Sequence, residues 1–344
     1  LCERLGDHAG MAAALASLGL IATWASDFRA AHDAYSASLS SARQAEDLWR
    51  IATALGGLSR VAAVGGRSGQ ARELAEEHLV LERELADPVE IAEALHNVGV
   101  AAMVQGDHRP ARAALEECLQ IRRDIRYPVG IAQALYDLGQ DALWSGELAR
   151  ARAHFEECRE VCLELDFPFG LLLPVWGLAR VAYQEGDTDT ARRLVLESMD
   201  DARSVGFSQG LGAILRTAAR IAIVEDDLSR AWRHLAEGLA CTVSVDDLRL
   251  QAECVDTLSE LLVRRGSTDV GVRLMSAVDA LRARVDTARP AVDRDEFEDL
   301  RQRASQALGE EAFERSWADG AAMDWEEALR IAKETLDDGP PVDR

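Results

Sequence analysis

The sequence predicts an all-α protein: a solenoid of about seven stacked helix pairs, closed by a helical cap. Three observations predict it. Ala and Leu dominate a chain that is 48% hydrophobic, and only 8 of its 344 residues are Pro, so long helices are favoured and seldom broken. Apolar residues recur at spacings of three and four, the helical period. The chain also repeats itself every 40 residues, which marks a stacked-repeat architecture.

The repeat is carried by four columns of residues. A turn column holds Ser26, Gly66, Gly106, Gly146, Gly186, Asp226 and Gly266. Five residues later stand Ala31, Ala71, Ala111, Ala151, Ala191, Ala231 and Gly271. Ahead of the turn comes a large apolar position, Leu15, Leu55, Leu95, Leu135, Val175, Leu215 and Val255. Four residues after it comes a small one, Gly19, Ser59, Gly99, Gly139, Ala179, Ala219 and Ser259.

Each unit reads as two helices, A and B. In the third unit helix A covers about 91–105, "IAEALHNVGVAAMVQ", and helix B about 107–125, "DHRPARAALEECLQIRRDI". Gly106 serves the turn between them, Asp107 is the expected cap of helix B, and Pro110 is tolerated in its first turn. Pro88, Pro128 and Pro168 mark the second turn, between units, where helix B must stop. The small residues Gly99 and Ala111 let the two helices approach closely. Val270, Val272 and Leu274 keep the seventh unit a real, if irregular, repeat. After it, Phe313 and Trp317 are spaced i,i+4 and share one helix face. That face is placed to cover the open apolar end of the last repeat, and Asp324 is a natural N-cap for a final helix.

These columns resemble the tetratricopeptide repeat. Leu95, Gly99 and Ala111, like Leu135, Gly139 and Ala151, match the family's spacing of bulky residue, Gly and Ala. The large position four after the Ala is filled by Tyr35, Leu115, Phe155, Val195, Leu235 and Met275, with Ala75 the exception. The resemblance covers roughly residues 10–288 and implies a right-handed superhelix. The usual repeat is 34 residues, so the extra ones are expected at the end of helix B. We expect a repeat domain over 1–289 and a cap with tail over 290–344. Long repeats of this kind look like those of large actinobacterial regulators that join an NTPase module and a LuxR-type output to a helical sensor. The ending "LGEEAFERSWADGAAMDWEEALRIA", through Leu308, Gly309, Phe313, Trp317, Gly320, Glu327 and Ala328, resembles a recurring ending of such proteins. That ending also follows kinase and cyclase modules. The chain opens without Met, and it reads as a piece of a longer protein.

Charge narrows the function. A formal net charge of −22 repels nucleic-acid phosphates and anionic lipid surfaces. No apolar run reaches membrane-spanning length. Cys2, Cys118, Cys158, Cys162, Cys241 and Cys254 form no CxxC pair, which fits a reduced, cytoplasmic setting. No HExxH or His cluster points to a metal, and no cofactor motif is evident. "GGRSG" at 65–69 lacks the Lys of a phosphate loop and falls on a turn of the repeat. The acidic runs at 293–296 and 324–327 read as solvated faces or helix N-termini. No catalytic constellation survives the repeat alignment.

In the resembling family helix A lines the concave face. Its groove positions, carried over residue by residue, fall on Glu93, His96, Val100, Met103 and Val104 in the third unit. The next three units bring Tyr136 and Gln140, then Trp176, Arg180 and Tyr183, then Arg216 and Arg220. A cationic and aromatic strip of this kind suits carboxylates and planar groups. The sequence points to a non-catalytic sensor or interaction module of a larger bacterial transcriptional regulator. Its partner would be a protein or peptide, a small-molecule inducer, or another domain of the same polypeptide, with homodimerisation left open. The alternative is a scaffold or self-association module without a ligand. The strip equally suits internal pairing of its arginines with neighbouring carboxylates.

Overall fold

A computed structural model describes residues 5–25, 27–65, 67–245 and 247–339. Cys2, Ser26, Gly66 and the tail from 340 on lie outside the described residues. From His8 to Val285 the described chain is seven helix pairs. They are α1 and α2 (His8–Trp24, Phe28–Gln44), α3 and α4 (Leu48–Val64, Ser68–Leu85), α5 and α6 (Pro88–Gln105, His108–Asp124), and α7 and α8 (Pro128–Trp144, Leu148–Glu164). After them come α9 and α10 (Pro168–Gln184, Thr188–Val205), α11 and α12 (Ser208–Val224, Leu228–Ser244), and α13 and α14 (Leu248–Arg264, Thr268–Val285). Among the described residues there is no strand.

The turns explain the period. Gly106, Gly146, Gly186, Asp226 and Gly266 all have φ between 59° and 85°, the left-handed region where Gly has no steric cost. The amide of Gly106 bonds the Met103 carbonyl at 3.0 Å, and that of Asp107 reaches back to Ala102 at 2.9 Å. This is a Schellman closure of helix A. The turn between units is built the same way, with Tyr127 bonding Arg122 at 2.9 Å, but the left-handed residue there is Glu46, Ala86, Arg126, Asp166 or Gly206. Both helices of a pair have 17 or 18 residues, so the residues beyond 34 do not appear as an extra-long helix B. Pro88, Pro128 and Pro168 open helix A at its first position, where the missing N–H has no cost.

Packing follows the columns. Phe155 on α8 is fully buried between Gly139 of its own unit and Gly177 of the next, and a Cβ at either would lie 2.6 Å from its ring. Tyr35 fits against Gly19 and Gly57, and Leu115 against Gly99, in the same way. Removing such a ring would cost about 3–5 kcal/mol. On the outer face, arginine–glutamate pairs recur with the repeat: Arg43–Glu77, Arg83–Glu117, Arg123–Glu157 and Arg203–Glu237. They are about half exposed, so each contributes at most about 1 kcal/mol.

Asp107 stands at the start of α6 but makes no capping bond; its carboxylate goes to Arg72 of the preceding unit instead. An arginine fork is the stronger partner. Asp27, Asp187 and Asp227 do cap, accepting from the amides of Ala30, Thr190 and Arg230.

The end of the seventh unit returns to the second and third. The Ser68 hydroxyl donates to the Val285 carbonyl at 2.8 Å, Gln105 Nε2 donates to the Asp286 carboxylate at 2.7 Å, and the Ala288 amide donates to the Val104 carbonyl at 3.2 Å. A short 3-10 turn at Ala291–Asp293 then passes beside α7. It leads into the cap helices α15 (Arg294–Leu308), α16 (Glu310–Ala322) and α17 (Trp325–Asp337). Phe313 and Trp317 stack at 5.7 Å and pack with Val272 and Ala304 over the last repeat. Asp324 caps α17 through the Glu327 amide at 2.8 Å. Ala328, Ala332 and Leu336 join the core of units six and seven.

Candidate interaction groove

The predicted strip is brought together, and most of it is already partnered. Trp176 is buried and donates its indole N–H to Thr217 Oγ1 at 3.0 Å. Tyr136 is half-buried against Phe155, ring centroids 5.8 Å apart, and burial raises its phenol well above the usual range. Arg216 is buried and pairs with Glu253 at 3.0 Å. Arg220 lies over the Tyr183 ring at 4.8 Å and forks to Asp293 at 3.0 Å and to Glu296. In the preceding units His96 likewise pairs with Asp137 at 2.8 Å.

Arg180 differs. Its guanidinium lies 5.0 Å over the Trp176 ring and donates to Gln140 Oε1 at 2.6 Å. Among the described residues no carboxylate forms an ion pair with it. Burial, together with the neighbouring charge of Arg216, pulls its pKa down to about 10. Glu253 and Asp293 act on this partly buried cation only from beyond ion-pair distance, so a carboxylate brought into direct contact would stabilise it further. The cleft beside it is lined by Leu143, Tyr183, Arg220, Val292 and Asp293. Val292 and Asp293 belong to the segment that leads into the cap, so the chain's own strap closes the groove at this point.

The run at 293–296 stands at the N-terminus of α15, one of the two places the sequence suggested, but Asp293 itself is drawn inward. Asp293 makes no capping bond to α15; its side chain turns inward because a buried guanidinium is a better partner than a helix end. The other candidates resolve as punctuation. Ser68 of "GGRSG" gives its hydroxyl to two backbone carbonyls, and His108 pairs with buried Asp141 at 2.8 Å. Cys158 donates to the Ala132 carbonyl at 3.1 Å, and burial pushes its thiol far up, which leaves it inert.

Sequence reasoning missed the acidic half of the site. Glu253 is clamped between Arg216 and Arg249 (2.6 Å). Asp256 accepts from Arg282 at 3.1 Å and from Arg289 at 2.8 Å. The signal was present: the step of 40 carries Glu93 to Glu253, His96 to Asp256 and Val100 to Glu260. The groove columns thus turn acidic in unit seven, facing the arginines of unit six.

Residues 90–164 match the tetratricopeptide repeat family model. A 95-residue stretch is 30% identical to a protein of Mycobacterium tuberculosis named as a candidate HTH-type transcriptional regulator, and the same match is found in Mycobacterium bovis. That stretch is 28% of this chain, and the chain covers only 11% of the length of these relatives. Among solved structures, NprR in complex with its cognate peptide NprX gives a TM-score of 0.58 at 12% identity, covering 95% of this chain and 86% of that one. A Rap protein complexed with Competence and Sporulation Factor gives 0.52 at 17% identity, covering 93% and 74%. Aspartyl phosphate phosphatase F from Bacillus subtilis gives 0.55 at 10% identity, covering 90% and 78%. The chain is a tetratricopeptide-like helical repeat solenoid, with the family's own sequence pattern recognisable over units three and four.

Proposed function

We propose that this chain is a non-catalytic interaction module of a larger bacterial transcriptional regulator, taking an acidic peptide or acidic protein segment on its inner face. One observation carries the reading: Arg180 lies partly buried over Trp176 with no ion-paired carboxylate among the described residues, beside an Arg220 that already holds two acidic groups of the cap segment. The groove thus already holds two carboxylates of the cap segment, one at the end of the 3-10 turn and one in the first turn of α15, which supports a place for carboxylates beside Arg180. Solved neighbours of this fold include complexes with peptides, and one neighbour is named a phosphatase. The relatives named as HTH-type regulators suit an attached DNA-binding output of LuxR type, in a cytoplasmic protein.

The same strap supports a second reading, a scaffold whose groove is permanently filled by its own chain. A labelled acidic peptide unrelated in sequence to the strap separates the two. It should bind the Asp293→Ala/Glu296→Ala chain saturably, bind the wild type less tightly, and lose affinity when Arg180→Ala or Arg220→Ala is added. No binding to the released chain, or binding indifferent to both arginines, would leave the scaffold.

A further inference from the structure

At the junction of units two and three, three side chains converge that no groove reading uses. His78 and Glu82 lie one turn apart on α4, both almost wholly buried, and Glu90 stands in the first turn of α5, half-buried. One donor atom from each lies within 4.8 Å of the others. His78 Nε2 is 3.4 Å from Glu82 Oε1, yet neither ring nitrogen of His78 nor Oε2 of Glu82 makes a hydrogen bond. Among the described residues no arginine or lysine pairs with Glu82 or Glu90. The neighbouring Glu93 takes both local arginines, Arg60 and Arg122, at 3.1 Å each.

Two carboxylates and an imidazole facing one point, buried and without a cation, form an arrangement that costs stability as it stands. A divalent cation would neutralise it. From the convergence of His78, Glu82 and Glu90 we infer a binding site for a zinc-class divalent cation, tying α4 to α5. The edge of a tetrahedron built on zinc bonds of about 2.1 Å is about 3.4 Å, the His78–Glu82 separation. Glu90, with a carboxylate oxygen within 4.8 Å of the other two ligand atoms, can close on the third position by a small side-chain shift, and its partial exposure leaves room for a water as fourth ligand and for an entry path. The imidazole argues against calcium or magnesium, which take oxygen ligands.

The trio is private to this junction. In the repeat columns His78 corresponds to Ser38 and Ser198, and Glu82 to Ala42 and Ala202. At the next junction the same places hold Cys118, Arg122 and Gly130, and Arg122 satisfies itself on the Gly130 carbonyl at 2.9 Å. Room for the imidazole comes from Gly56 on α3, where a Cβ would meet the ring at 2.8 Å. The other units with described groove columns carry larger side chains at that position from His96 onward.

Protonation favours metal uptake at neutral pH. Burial holds His78 down to about 4, so its ring is neutral and free to coordinate. Burial, with Glu90 and Asp87, pushes Glu82 up to about 7, so protons compete with the cation below that. Arg60 of α3 and Glu93 of α5 are the other charges facing His78.

The test uses the whole chain, stripped of metal and titrated with zinc chloride against a competing chelator, with cobalt(II) absorption as a second readout. His78→Ser/Glu82→Ala installs the pair that units one and five carry, so the fold is expected to survive; circular dichroism checks this. Glu90→Gln leaves the core untouched. The wild type should bind one zinc per chain and give a tetrahedral cobalt spectrum. Each variant should weaken binding at least about tenfold, and wild-type affinity should fall between pH 7.5 and 6. Equal uptake by wild type and folded variants, an octahedral cobalt spectrum, or preference for calcium would overturn the site.

Discussion

The strap between the last repeat and the cap should be releasable, and Asp293 should be the residue that holds it. Arg220 is 12% exposed and Asp293 19%, whereas Glu296 is 50% exposed. The two arms of the fork are therefore unequal. An ion pair that is half in water contributes about 0–1 kcal/mol. A largely buried, charge-assisted one contributes about 2 kcal/mol, because its loss leaves a guanidinium short of a partner. Asp293→Ala should thus open the segment 286–297 about thirtyfold more often, and Glu296→Ala no more than about fivefold. Amide hydrogen exchange over that segment reads the difference directly and separates it from global unfolding, which a repeat protein need not undergo in one step. Exchange in α2, in the first unit, should not change. Adding Arg220→Ala to Asp293→Ala should cost far less than the two separate effects combined. Equal effects of the two acidic substitutions, or unchanged protection in Asp293→Ala, would refute the view that a buried pair latches the groove.

Two further outcomes follow from the same geometry. Burial alone would raise the carboxyl of Glu253, but Arg216, Arg249, Arg282 and Arg180 override it and hold the pKa at about 2. A depressed pKa contributes stability that is present above the unfolded carboxyl range and lost as pH falls toward 2, roughly 3 kcal/mol in all. Thermal unfolding between pH 4.5 and 2 should therefore decline less steeply in Glu253→Gln than in wild type; parallel declines would contradict the assignment. Gly320→Ala should loosen the cap, since a Cβ there would sit 2.2 Å from the Arg273 carbonyl oxygen. Backbone cannot yield cheaply, so a loss of about 1–3 kcal/mol is expected, seen as lower protection in α16, and an unchanged melting curve would show that α16 docks differently.

What the sequence revealed and what it withheld have one cause. A period of 40 exposes whatever each unit does in common with the others: turn glycines, the Gly–Phe and Gly–Leu contacts, the paired helices. Those interactions are local or between neighbours, so they write themselves into columns. Phe313 and Trp317 were legible for a similar reason, since one helix face carries them. Residues that break a column were harder to read, because a departure from the pattern looks like drift. Glu46, Ala86, Arg126 and Asp166 hold the left-handed position without being glycine, so the second turn was visible only through its prolines. His78 did not stand out in a chain whose histidines form no cluster in sequence, and Asp293 looked like surface charge. The pairing of Arg220 with Asp293 spans 73 residues, and no periodicity encodes a contact between a repeat and a segment outside the repeats.

The groove illustrates the point most sharply. Read only as far as unit six, its columns end in arginines and suggest an open anionic subsite. Read one unit further, they continue into Glu253, Asp256 and Glu260, and two of the three arginines acquire partners inside the molecule. What survives is narrower and easier to test: Arg180 over Trp176, shut in by Val292 and Asp293. On the proposed reading, a partner for this groove would supply a carboxylate to Arg180 and would also have to displace, or wait for the opening of, a strap that offers carboxylates of its own. Such a partner competes with an intramolecular ligand at high effective concentration. Its apparent affinity is therefore reduced by the fraction of time the strap is closed, and any signal that loosens Asp293 from Arg220 would raise that affinity without touching the partner's own contacts.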